Sequence, residues 1–202
     1  MKTTNLTTNA TNLTAVASIK SVNEIINCLK IGTMMRKTVL AIFALLLIAT
    51  STRAQDEKFK ALFMYNFTKY IEWPQAKQSG DFVIGVLGSS AIIDELNAIA
   101  ERKTVGSQSI KVKQVSTSDD LTKMHILFVP ENQSGHVDAI IEKVNGKGVV
   151  LITDKPGLAK AKSGINYINE GGKQKFEVSN KHLSEEGVKV SAQLLTLGTP
   201  VD

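Results

Sequence analysis

Three short, nearly uninterrupted apolar runs, Phe82–Leu87, Ile126–Val129 and Val149–Thr153, constrain this chain more than any other feature. Each is too short for an ordinary helix and lacks the polar alternation of a half-solvated strand, so each reads as a strand buried on both faces. Helical patterns lie between them: Ile92, Ile93, Leu96 and Ile99 after a Gly88 break with Ser89 or Ser90 as cap, and a second pattern from Gly135 to Val144. Ile110–Val115 alternates as a further strand. Buried strands separated by helices predict an α/β domain, mainly a parallel sheet with helices on both faces. In the final third, Ile165–Ile168 and Lys175–Val178 around Gly171-Gly172 predict a C-terminal hairpin. A short helix from Asn180 to about Gly187 and an apolar stretch from Val188 to Leu197 follow.

The body opens with an amphipathic helix predicted from Lys58 to Trp73 and stopped by Pro74. Its apolar stripe is Phe59, Leu62, Phe63, Phe67, Tyr70 and Ile71, with Asn66 its one polar member. Phe59, Phe63 and Phe67 are expected in the core, and Asn66 is expected to satisfy a buried backbone group. Tyr65, off the stripe, and Trp73, at the helix end, are the candidates for exposed partner-binding aromatics.

Ahead of this body lies a leader. Arg36 and Lys37 precede an apolar run from Val39 to Ala49, and small residues up to Ala54 follow. That run of 11 residues is about half of what a ~30 Å hydrocarbon core requires, so it reads as a signal peptide over residues 34–54, cleaved after Ala54, with export to the periplasm. Residues 1–33 form a polar extension, and Met34 or Met35 is the expected start of translation. Residues 55–202 form the remaining domain.

Charge and cysteine content narrow its chemistry. The leader holds six basic side chains and one acid, which accounts for the whole net charge of +5; residues 55–202 carry 18 groups of each sign. A neutral body argues against nucleic acid as a partner. The single cysteine, Cys28, is also in the leader. The body therefore lacks the ligands or nucleophile for thiol catalysis, cysteine-bound zinc, iron–sulfur clusters or disulfides.

Ligands of open parallel sheets bind beyond the carboxyl ends of the strands, which singles out Gly88, Ser89 and Ser90, then Pro130, then Asp154. The Gly-Ser-Ser turn entering a helix offers N–H groups to a small anion. Neither dinucleotide nor P-loop fingerprint is present, so no cofactor is expected. His125, His136 and His182 are far apart and no G-x-S-x-G elbow exists, so no catalytic residues and no metal site are expected, and the protein reads as a non-enzyme. His125, beside an apolar strand, reads as structural; Asp119-Asp120 and Glu185-Glu186 read as solvated charges.

The stretch Lys60-Ala61-Leu62-Phe63-Met64-Tyr65-Asn66-Phe67-Thr68-Lys69-Tyr70-Ile71-Glu72-Trp73-Pro74 resembles the opening helix of YfiR-like proteins, whose pattern is close to K-A-x-F-x-Y-N-F-x-K-Y-x-E-W-P. Phe82–Gly88, Gly106 with Ile110 and Val112, His125–Val129, Leu151–Asp154, Phe176-Glu177-Val178 with Asn180, and Gly187–Leu195 agree in order. The resemblance implies Rossmann-like layers and an exported regulator that binds the extracytoplasmic part of a membrane sensor kinase or diguanylate cyclase. A homodimer is compatible with it. Redox sensing is not implied, because the body has no cysteine. The alternative reading is a periplasmic module for a small ligand; an enzyme is the weakest.

Overall fold

In the computed structural model the described residues are 55–201, with Glu24, Lys37 and Thr38. The polar extension, the signal segment and the cleavage after Ala54 lie outside them, those three isolated residues apart. Among the described residues, no helix is long and apolar enough to cross a membrane.

Residues 55–67 form helix α1. It ends six residues before the expected Trp73, because Ile71–Glu72 (β1) pairs antiparallel with Lys189–Val190 (β9) more than a hundred residues away. Pro74 is therefore not what stops the helix; tertiary pairing is. The main sheet is built from Phe82–Leu87 (β2), Thr104–Val105 (β3), Gln108–Val115 (β4), Ile126–Val129 (β5), Val150–Thr153 (β6), Ile165–Glu170 (β7), Lys173–Val178 (β8) and Thr199–Pro200 (β10), in the order β10-β8-β7-β6-β5-β2-β4-β3. Its five central strands run parallel; β7–β8 is the predicted hairpin, antiparallel, and β10 lies parallel to β8. Ile92–Ala100 (α2), Val137–Val144 (α3), Leu158–Ala161 (α4), Asn180–Glu185 (α5) and Ala192–Leu197 (α6) complete the α/β fold.

Register explains why the apolar strands take a polar residue only where it is fully bonded, as Thr153 is to Ser163 and Asn166. Ile84, Ile126 and Val150 are neighbours in one row, and Val86, Phe128 and Ile152 in the next. These rows face a core with Ala61, Met64 and Phe67 of α1, Ile92 and Leu96 of α2, and Leu194 of α6. The intervening residues Leu87, Leu127, Val129 and Leu151 face the opposite core with Val137, Ile140 and Val144 of α3. Both faces are covered, so a polar side chain at any of these positions would be desolvated. The helix expected from Gly135 begins as a 3₁₀ turn, Glu131–His136, before α3.

Candidate docking and ligand sites

Among the central strands the order is β4-β2-β5-β6-β7, so the connection direction reverses between β2 and β5, and the crevice at their carboxyl ends is where such sheets bind ligands. A crevice of about 390 Å³ opens there, between Gly88, Ser116, Thr117, Asp119, Gln133 and His136. Gly88 has φ +71° and donates its N–H to Val115 O at 2.9 Å; a Cβ there would stand 3.1 Å from Gln133 Nε2. Backbone geometry demands glycine, and a Cβ would also push the end of the Gln133 side chain aside. Asp119 accepts from Ser116 N–H at 2.6 Å and Oγ at 3.0 Å, and these bonds hold its carboxyl below the usual range.

The structure separates the other sequence candidates from this crevice. Ser89 is exposed, and Ser90 Oγ accepts only a long 3.4 Å bond from Ile92 N–H; the residue in the cap position is Ala91, which has no side-chain bond. Asp154 lies at the end of β6 and faces α1: Lys60 Nζ donates to Asp154 Oδ2 at 3.0 Å and to Glu57 Oε1 at 3.1 Å. Burial pushes the Lys60 pKa down, but the charges of Asp154 and Glu57 outweigh it and hold the ammonium above its usual value. Asp154 Oδ1 and Glu57 Oε2 are buried without partners. Tyr167 OH reaches Lys60 O at 2.7 Å, closing a clamp between α1 and the sheet.

The aromatic residues of α1 divide differently from expectation. The buried line is Ala61, Met64 and Phe67, whereas Phe59 is 44% and Leu62 47% exposed. Phe59 is thus not a core residue. Asn66 serves no buried backbone group; its Oδ1 accepts from Lys69 Nζ at 2.8 Å near the surface. Tyr65 is half-buried, with Lys69 Nζ 5.0 Å from its ring centroid. Trp73, expected exposed, is only 6% exposed: its Nε1–H donates to His125 O at 3.1 Å, and its ring meets Phe82 edge-on at 4.9 Å. His125 is structural, as expected. Its Nδ1 accepts from Val83 N–H at 3.0 Å, leaving Nε2–H to donate to Lys77 O at 2.8 Å, a neutral tautomer in keeping with a pKa lowered by burial.

The sequence profile of the YfiR/HmsC-like family matches residues 57–199, all of this domain but its first two and last three residues. The chain belongs to that family. No curated protein matches it. YfiR/HmsC-like proteins are regulatory and extracytoplasmic rather than enzymatic.

Three features of this YfiR/HmsC-like domain escaped the sequence reading. First, α1 lies between α2 and α6 with an open hollow on each flank. One, of about 460 Å³, involves Phe59 and Leu62 with Glu95; the other, of about 540 Å³, runs between Phe63, Phe67, Tyr70, Phe176 and Leu197. Second, the latter depends on Gly198, where a Cβ would meet Phe176 Cε2 at 2.5 Å. Only the surplus of apolar side chains at helical spacing on α1 hinted at either hollow. Third, Glu186 is not a solvated charge. It is half-buried, and burial raises its pKa against the backbone N–H groups of Gly146–Val149 that hold its carboxylate. It lies near Lys77, whose own pKa burial lowers to about 8.

Proposed function

We propose that the protein is an exported regulator, beginning at Gln55 after cleavage, that docks on the extracytoplasmic part of a membrane signalling protein and biases its conformational equilibrium. The observation that carries this reading is the second apolar flank of α1. Phe59 and Leu62, one turn apart on α1, are exposed together beside Glu95, while Leu197 of α6, at 58% exposure, borders the hollow on the other flank. Exposed apolar residues gathered on one surface mark an interaction site, whereas scattered ones do not. Family membership favours a diguanylate cyclase as the membrane partner and docking over catalysis. Such a regulator acts only through differential affinity for two states of its partner.

Capture of tagged protein with cross-linking from its native membranes tests this. The wild type should retain a membrane kinase or cyclase, and the Phe59→Asp/Leu62→Asp double variant should lose it while keeping its fold. Equal retention by both would remove the α1 interface; capture of no membrane signalling protein would remove the function.

A second reading, a small-ligand module, is favoured by the crevice at the β2/β5 reversal. Its test is the melting temperature in the presence of nucleotides, amino acids and cell-wall fragments, which rises with ligand if the crevice binds one. A rise that survives Gln133→Ala would place binding elsewhere.

A further inference from the structure

The edge of the main sheet beside the larger hollow is only partly closed. β10 pairs with β8 at Glu177 and Val178, a parallel register in which Thr199 N–H faces Phe176 O, so Lys173–Lys175 have no strand beyond them. Val201 N–H donates to Val178 O on the β10 side, and Ser179 N–H donates to Gly164 O on the β7 side. Strand alternation therefore turns the main-chain groups of Phe176 and Gln174 outward with those of Val178. Gln174, which lines the hollow, also has a buried side-chain Oε1 with no donor. Beneath this edge lies the aromatic floor of Phe63, Phe67, Tyr70 and Phe176. The outward N–H and C=O of Gln174, the outward N–H of Phe176, a side-chain acceptor lacking a donor and an adjoining apolar hollow together call for an extended backbone bearing an apolar side chain.

Charge selects among possible occupants. Lys173 and Lys175 are exposed on the edge, and Lys69 stands beside the hollow on Asn66. The acids beside this edge are already engaged, Glu170 with Lys175 and Glu177 with Asn166 Nδ2. Residues 1–54 of this chain carry six basic side chains and one acid, so they match the rim poorly. A second copy pairing antiparallel about Gln174 would set Lys173 against Lys175, and like charges directly opposite repel. We propose that the β8 edge at Lys173–Phe176 takes up an acidic, extended segment of another protein by strand addition, one apolar side chain of that segment entering the hollow. This goes beyond the α1 reading and does not rest on it.

The test uses the purified full-length chain and a synthetic acetylated peptide, Glu-Thr-Phe-Thr-Val-Glu, with two controls: the same peptide N-methylated at alternate residues, and one with lysine in place of glutamate. The acidic peptide should bind and slow amide exchange at Gln174 and Phe176, and each control should bind at least tenfold more weakly. Gln174→Pro removes an outward N–H without touching the β7 ladder, so it should weaken binding tenfold at unchanged melting temperature. Should that variant misfold, Lys175→Glu serves instead and should invert the preference between the acidic and lysine peptides. Phe59→Asp should leave peptide affinity within twofold. Equal binding of the N-methylated peptide, indifference to Lys175→Glu, or protection confined to α1 would overturn the proposal, as would self-association through this edge.

Discussion

Helices α1 and α3 cover opposite faces of the same sheet, yet they meet solvent differently. α3 buries Val137, Ile140 and Val144 and turns Asp138, Glu142 and Lys143 outward, so its apolar stripe is consumed by the fold. α1 buries Ala61, Met64 and Phe67 but leaves Phe59 and Leu62 exposed, so it carries more apolar surface than the core can take. Folding buries the large apolar residues of α3, Ile141 in part, but only some of those of α1. The surplus is what the docking surface proposed on α1 requires.

That contrast can be tested on stability and binding separately. The largest effects are expected where α1 and its continuation enter the core. Trp73→Ala should cost about 3–5 kcal/mol by chemical denaturation, since it empties a buried aromatic site and removes one of the two donors to His125 O, leaving only Val150 N–H. A loss below about 1 kcal/mol would mean that Trp73 is not a core residue. Ile140→Ala in α3 should cost about 2–5 kcal/mol, while Leu62→Ala in α1 should stay within about 0.5 kcal/mol. Equal losses would erase the distinction between the two helices.

Next in size, Gly198→Ala should cost about 1–3 kcal/mol, because its Cβ would press on the Phe176 ring and deform the hollow beside α1. Unchanged stability with a wider hollow would show that Phe176 yields freely.

The smallest effect depends on pH. His125 has a folded pKa below its unfolded value, so the folded state refuses a proton that the unfolded chain accepts. Its contribution is complete above the unfolded pKa of about 6.5 and is lost as pH falls below it, at no more than ~1.4 kcal/mol per pH unit. Denaturation midpoints from pH 7.5 to 5.0 should fall less steeply in His125→Gln than in the wild type. Parallel slopes would assign the acid sensitivity to another group.

Much of the fold is legible in the chain. Phe82–Leu87 and Ile126–Val129 are strands with the bounds expected of them, since apolar runs closed by Gly88 and Pro130 have no alternative use. The hairpin around Gly171-Gly172 extends further than read, to Glu170 and Lys173, because pairing carries the polar ends along. The candidate sites were legible only in part. Gly88 does line the crevice, and Asp154 does stand at a strand end, but its partner Lys60 is 94 positions away and claims it for the clamp. The α1 stripe was drawn through Phe59, Leu62 and Phe63, because periodicity identifies an apolar face without saying which of two such faces meets the sheet.

Local pattern therefore determined the central strands β2, β4, β5 and β6, the hairpin and helices α2 and α3, that both faces of the sheet are covered, and that the domain is thiol-free and neutral. Those properties depend on residues near one another in the chain, or on composition alone. The end of α1, the burial of Trp73, the capture of Asp154 by Lys60 and the open edge of β8 were decided by the tertiary structure. Each depends on a contact between distant segments, whose free energy outweighs the weak local preference that sequence spacing can express.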